Sequence, residues 1–154
     1  MPATQHIFPV TVQWTGGRDG TGEMGMGESG KNFPINVPSG FSGPGGETNP
    51  EELLTGAIAG CYSITFGIIA ANRKLPVVDV KTEAIGEVEQ NGAAFKYKQI
   101  TIKPTITLSA EATDEQVASA TDFAHKTDGY CIVTNAVRQS VEIVLEPTVV
   151  RANG

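Results

Sequence analysis

Asn49-Pro50-Glu51-Glu52-Leu53-Leu54 opens the stretch that decides the fold, which runs on through Ala59-Gly60-Cys61-Tyr62-Ser63 to Arg73-Lys74-Leu75-Pro76. Asn49 suits a helix N-cap, Pro50 the first helical position and Glu52 the third, a capping-box arrangement. The spacing predicts one helix from Pro50 to about Lys74, stopped by Pro76, with Arg73 and Lys74 placed where the helix dipole favours cations. Leu53 to Ala71 carries no charge over nineteen residues, close to the length that spans a bilayer. It also holds Thr55, Ser63, Thr65 and three glycines. A helix apolar all round is equally the signature of a buried central helix, and we read it so, without a membrane. One sheet cannot cover every face of such a helix. A second subunit is the simplest cover for its far side.

Around this helix the pattern is that of strands. Phe8, Val10, Val12 and Trp14 alternate with Pro9, Thr11 and Gln13 as a first strand. Gly16 to Gly30 reads as a glycine-rich stretch, Phe33 to Pro38 as a short extended piece, and Ser39 to Glu47 as a Gly/Pro loop. After the helix, Val77 to Val88 and Phe95 to Leu108 form two strands joined at the hairpin signal Asn91-Gly92. Pro104 points to an edge or a bulge. Thr113-Asp114-Glu115-Gln116 is a second capping box, opening a helix to about Thr127, with Gly129 as its stop. Cys131 to Gln139 is ambiguous, with a short helix as one reading. Val141, Ile143 and Leu145 make a last strand. The order is strands, long buried central helix, strand meander, second helix, final strand, which is an α+β fold in one domain over residues 1–154.

Composition removes several function classes. Apolar residues are 40% and charged residues 18%, enough for a core and too uncharged for wholesale disorder. Eleven Lys and Arg against seventeen Asp and Glu leave a net charge of −6 with no basic cluster, so nucleic acid is not expected as a partner. The N-terminus has neither a basic region nor an apolar run of signal-peptide length, and a cytoplasmic location is expected.

Some motifs look like chemistry and fail on context. Gly20-Thr21-Gly22-Glu23-Met24-Gly25 and Gly25-Met26-Gly27-Glu28-Ser29-Gly30 both fit G-x-G-x-x-G, and Gly25 to Lys31 fits most of a P-loop. Those motifs need a helix directly after, so that backbone N–H groups meet phosphate. Asn32-Phe33-Pro34 cannot begin a long helix, and Glu23 and Glu28 would repel phosphate. His6 and His125 have no ligand spacing with each other or with either cysteine, so neither a metal nor a cofactor is expected. Ser63 has no nearby histidine, and a serine hydrolase reading is weak.

Two cysteines remain. By composition, Cys61 and Cys131 read first as buried small hydrophobes. The alternative is an activated thiolate, which needs a cation or a helix N-terminus beside it. Cys61 lies well inside its helix. Arg18, in Gly16-Gly17-Arg18-Asp19-Gly20, is the only arginine before Arg73, and its fork of donors can serve a carboxylate and a thiolate together.

At these residues the chain resembles the OsmC/Ohr family of organic hydroperoxide reductases. Thr48-Asn49-Pro50-Glu51-Glu52-Leu53-Leu54 followed by Ala59-Gly60-Cys61-Tyr62-Ser63 is similar to that family's helix, with its carboxylate ten residues before the peroxidatic cysteine. Gly16-Gly17-Arg18-Asp19-Gly20 resembles the arginine motif of the Ohr branch, and Cys131 with Asn135-Ala136-Val137-Arg138 the second-cysteine segment. The family usually places proline after that cysteine, whereas Ile132 stands here. The resemblance implies an intertwined α+β homodimer. It implies Cys61 as peroxidatic and Cys131 as resolving cysteine, Arg18 as stabiliser of the thiolate and Glu51 as the group orienting Arg18. It also implies an organic hydroperoxide substrate and a dithiol reductant, a lipoyl-bearing protein in the family.

Geometry adds a point of its own. Ten helical residues put Glu51 about 15 Å from Cys61 and about 80° away around the axis, so Glu51, and Arg18 with it, is expected to serve the cysteine of the other subunit. Tyr62, Phe33, Phe41, Met24 and Met26 are candidates to line an apolar pocket, or are simply core. The competing function is a small-ligand binding module of the same fold with inert cysteines.

Overall fold

The computed structural model describes residues 2–154, which divide into two compact units, one running to Leu53 and one from Leu54 to Gly154. In the first unit β1 (Val10–Thr15), β2 (Thr21–Met26) and β3 (Asn32–Ile35) form an antiparallel sheet in the order β1-β2-β3. The glycine-rich stretch therefore contains a strand that alternation of apolar residues did not reveal. Two of its glycines lie against Trp14. A Cβ on Gly22 would stand 2.6 Å from the indole, and one on Gly20 2.9 Å from it. The P-loop-like run ends as the β2–β3 turn, in which Gly30 at φ +74° donates to the Met26 carbonyl at 2.8 Å. A sheet turn offers no helix start to a phosphate. The first strand begins at Val10 rather than Phe8.

Helix α1 (Pro50–Asn72) starts where its caps indicate, with Asn49 Oδ1 accepting from the Glu52 N–H at 2.8 Å. It ends two residues before the expected Lys74. Leu75 N–H donates to Ala70 and Lys74 N–H to Ala71, with Lys74 at φ +56°. This is the Schellman closure, here without its usual glycine.

In the second unit β4 (Val77–Asn91) and β5 (Ala94–Leu108) pair antiparallel along almost their full length. The two residues between the paired Asn91 and Ala94 are Gly92 and Ala93, and Gly92 has φ +61°. Glycine at the first central position is the pattern of a II′ turn, so the hairpin turns on Gly92-Ala93 with Asn91 still in the ladder. The other edge of β5 takes two parallel partners in succession, β6 (Glu142–Leu145) on Gln99–Ile102 and β7 (Thr148–Arg151) on Thr105–Leu108. Pro104, with no N–H to give, falls in the break between them. The expected single last strand is thus two strands in line, parted at Glu146-Pro147. Helix α2 (Asp114–Lys126) opens with the complete Thr113–Gln116 capping box, and α3 (Ile132–Val137) resolves the ambiguous segment as a short helix.

The core of this unit is built on one stripe of α1. Ile58, Tyr62, Phe66 and Ala70, four residues apart, are buried with Ile100, Ile102, Ile106 and Leu108 of β5 and Ala120 and Ala124 of α2. Tyr62 is core rather than pocket lining. It stacks on Phe66 and donates its hydroxyl to the Ala124 carbonyl at 2.5 Å. Two polar ties fix the helix on the sheet, Ser63 to Thr82 at 2.7 Å and Thr55 to Tyr97. Gly86 makes room for the second, since a Cβ there would meet both hydroxyls. The helix is buried along this stripe only, and Ile64 and Ile68 are 67% and 56% exposed. Among the described residues α1 is also the one helix long and apolar enough to cross a membrane.

Candidate active site

Cys61 lies midway along α1, half-buried, on the stripe next to the core stripe. Cys131 is fully buried at the start of α3, where the chain turns extended (φ −80°, ψ 106°) between the turn Thr127–Tyr130 and the helix. Seventy residues separate them in sequence, yet the fold brings them together: Cys61 packs against the core cluster that holds Cys131, and Cys61 and Thr65 both lie close enough to bear on its ionisation. Thr65 is one turn beyond Cys61, so the two present a thiol and a hydroxyl to Cys131 from one face of α1. The Cys131 thiol also donates to the Thr127 carbonyl at 3.4 Å.

This environment keeps Cys131 neutral. Its thiol is pushed up to about 11, first by burial and then by the charge of Cys61, against a lowering hydrogen bond from Thr65. Burial likewise raises Tyr62, aided by Cys131 and Asp128. Cys131 is thus a protonated thiol, its S–H given to the Thr127 carbonyl, and becomes a nucleophile only by losing its proton.

A hydrogen-bonded brace holds the turn that carries Cys131. Arg138 donates from Nη1 to Asp128 Oδ2, from Nη2 to the Asp128 carbonyl and from Nε to Asn135 Oδ1, each at 3.0 Å. Asn135 in turn donates to the Gly129 carbonyl at 3.0 Å. The planar guanidinium meets the three acceptors with three separate nitrogens held in a fixed fork, a spread that a lysine's single nitrogen does not have. Where the resemblance leads one to expect a proline after Cys131, this brace fixes the backbone by other means.

Arg18 and Glu51 belong to the first unit. Arg18 sits in the five-residue loop between β1 and β2, closed by Gly20 N–H on the Gly17 carbonyl and by the Trp14 indole on Gly16, and its Nη1 donates to the Phe41 carbonyl at 2.6 Å. Glu51 lies in the first turn of α1. His125 is exposed near the end of α2, and no group of three or more His, Cys, Asp or Glu suited to a metal exists among the described residues. Reading the sequence had not singled out Thr65, although its i+4 spacing from Cys61 was visible, nor Asp128, whose role depends on a turn no motif announces.

A family profile described as "OsmC-like protein" matches residues 43–146. The chain belongs to the OsmC-like family. This OsmC-like chain is 34% identical over 145 residues to the uncharacterized protein YmaD of Bacillus subtilis (strain 168), covering 94% of the one and 95% of the other. It is 25% identical over 150 residues to an "organic hydroperoxide resistance protein-like 2" of Staphylococcus epidermidis, covering 94% and 98%. Its fold matches that of an OsmC-like protein of unknown function from Vibrio cholerae, with a TM-score of 0.75 at 18% identity, covering 93% and 99%. It also matches the organic hydroperoxide resistance protein OsmC of Legionella pneumophila, with a TM-score of 0.71 at 22% identity, covering 94% and 99%.

Proposed function

We propose that this OsmC-like protein is a thiol peroxidase that reduces organic hydroperoxides to alcohols. The observation that carries the reading is the meeting of Cys61 with the buried, neutral Cys131. Inert cysteines would have no need of each other, whereas a peroxidatic thiol needs a second thiol at hand. The names of the Staphylococcus and Legionella relatives support the substrate class.

In this reading the Cys61 thiolate attacks one oxygen of the hydroperoxide and the O–O bond breaks. The alkoxide leaves and takes a proton as the alcohol, and Cys61 becomes a sulfenic acid. Cys131 then gives up its proton and its sulfur attacks the Cys61 sulfur. Hydroxide leaves with that proton as water, and a disulfide remains. A dithiol returns two electrons and two protons. Arg18 stabilises the Cys61 thiolate, and Glu51 orients Arg18. Because α1 is unbroken, Glu51 stays about 15 Å along the helix from its own Cys61, so in an intertwined homodimer it serves the partner subunit's Cys61. The exposed Ile64 and Ile68 on α1 and Val10 and Val12 on β1 are apolar surface that such a dimer would cover. A reducing compartment, the cytoplasm, would keep both thiols ready.

The test is consumption of cumene hydroperoxide with dithiothreitol as reductant. Wild type should turn over, Cys61→Ser should not, and Cys131→Ser should lose sustained turnover as Cys61 over-oxidises. Turnover by Cys61→Ser at the wild-type rate would overturn the assignment.

A further inference from the structure

The loop that carries Arg18 has little of its own to hold it in place. Gly16-Gly17-Arg18-Asp19-Gly20 has three glycines in five residues and no apolar side chain, a composition that leaves the backbone free. A Cβ on Gly17 would meet nothing within 4 Å, and Arg18 and Asp19 are exposed. Both ends of the loop nevertheless rest on one residue. The Trp14 indole donates from Nε1 to the Gly16 carbonyl at 2.9 Å, where the Gly16 backbone has φ +100°. Its six-membered ring lies against Gly20, where an added Cβ would stand 2.9 Å from it. Gly22 is the cross-strand partner of Trp14, and a Cβ there would stand 2.6 Å from the same ring. Two positions are thus bare of side chain where one ring lies.

Burial within its own unit does not account for the indole. Every residue of β1 is exposed, Trp14 at 40%. Its contacts go instead to the loop, whose first and last residues are fastened to one rigid ring. Gly20 N–H closes on the Gly17 carbonyl at 2.9 Å, so the bend that lifts Arg18 is fixed between those ends. At the far end of the side chain, Nη1 donates to the Phe41 carbonyl at 2.6 Å. Arg18 is therefore set from two sides, its backbone by Trp14 and its tip by Phe41.

Resting on the peroxidase reading, in which Arg18 stabilises the Cys61 thiolate, we propose that Trp14 is the positioning residue for Arg18. The indole holds the loop so that the guanidinium presents its fork of donors at one place. Hydrogen bonds weaken steeply as their geometry is lost, and small misplacements are costly at a reacting group. An indole that touches no reacting atom thereby sets how much thiolate forms.

The experiment alkylates Cys61 with iodoacetamide in the full chain carrying Cys131→Ser, at pH 7 and at pH 10. Only the thiolate reacts, so a lost or misplaced cation slows the reaction at pH 7 and far less at pH 10, where an ordinary thiol is ionised. Arg18→Gln should slow it about tenfold at pH 7. Trp14→Ala should slow it about three- to tenfold at pH 7 and leave it near wild type at pH 10. Trp14→Phe, which keeps a ring over Gly22 and loses the N–H, should fall between, and it carries the test should the alanine variant not fold. Beside Arg18→Gln, neither Trp14 variant should add a further loss, because the indole acts through the guanidinium. Wild-type rates at pH 7 in Trp14→Phe would overturn the proposal. So would equal slowing at both pH values, or a Trp14 effect that persists in full beside Arg18→Gln. Trp14 shares a strand face with Val10 and Val12, so sedimentation is read on each variant. A changed oligomeric state would give the indole to a second copy and overturn the proposal equally. An Arg18→Gln protein alkylated at the wild-type rate would overturn the role of Arg18 and the proposal with it. No peroxide enters the assay, so turnover of cumene hydroperoxide judges the peroxidase reading separately.

Discussion

Raising the pH from 9 to 11 on the reduced protein isolates the environment of Cys131. Below pH 9 its thiol is protonated in both the folded and the unfolded chain and adds no pH dependence. An ordinary thiol ionises near 9, while the folded one holds its proton to about 11. Between those values the unfolded chain loses a proton that the folded chain keeps, so stability falls as pH rises. Each unit is worth about 1.4 kcal/mol, and the two units together about 2–3 kcal/mol, after which the effect is complete. Other groups titrate in this range, so the measurement is a difference. Urea unfolding of wild type and Cys131→Ala, both kept reduced, is followed from pH 8 to 11. At pH 8 the wild type should be more stable by about 1 kcal/mol, the cost of the small cavity in the variant. By pH 11 that advantage should be gone or reversed. In Cys61→Ser the fall should be smaller, because the charge of Cys61 contributes second after burial. A wild-type advantage that stays constant from pH 8 to 11 would refute the claim that the fold holds Cys131 as a buried neutral thiol.

Three further outcomes follow from the geometry. Gly86→Ala should lower stability by about 1–3 kcal/mol, because its methyl would meet the Thr55 and Tyr97 hydroxyls that tie α1 to the sheet; the urea midpoint reads it. Lys74→Gly should raise stability by up to about 1 kcal/mol, since Lys74 takes the left-handed position of the helix closure; thermal unfolding reads it. Arg138→Gln should cost under about 1 kcal/mol, because the Arg138–Asp128 pair is partly exposed. It should nevertheless slow disulfide formation by loosening the turn under Cys131, seen as more sulfinic acid on Cys61 at a given peroxide dose.

Local signals carried much of the architecture. The two helix starts were legible because caps are short-range chemistry, Asn49-Pro50 for α1 and Thr113 with Gln116 for α2. The β4–β5 pair was legible because Ile100, Ile102, Ile106 and Leu108 alternate with polar residues. The second strand was not, because Gly22 is set by the bulk of Trp14 across the sheet and Gly25 by the Asn32 side chain, not by any pattern of their own. The division of the final strand was equally hidden, although Pro104 and Pro147 mark the break on both sides once the pairing is known. At the site, Cys61 and Cys131 were visible as candidates, but a meander, a helix and a turn lie between them, and only the fold shows their contact. Thr65 was within reach of helical arithmetic. The Asp128–Asn135–Arg138 brace was not, because it depends on the turn those residues close.

The most direct measurement is intact mass after one equivalent of cumene hydroperoxide is added to the reduced protein. The account predicts loss of two hydrogens in the wild type, gain of one oxygen in Cys131→Ser, and no change in Cys61→Ser. A wild type whose mass does not change would show that the two thiols meet for packing alone, and the peroxidase reading would fall.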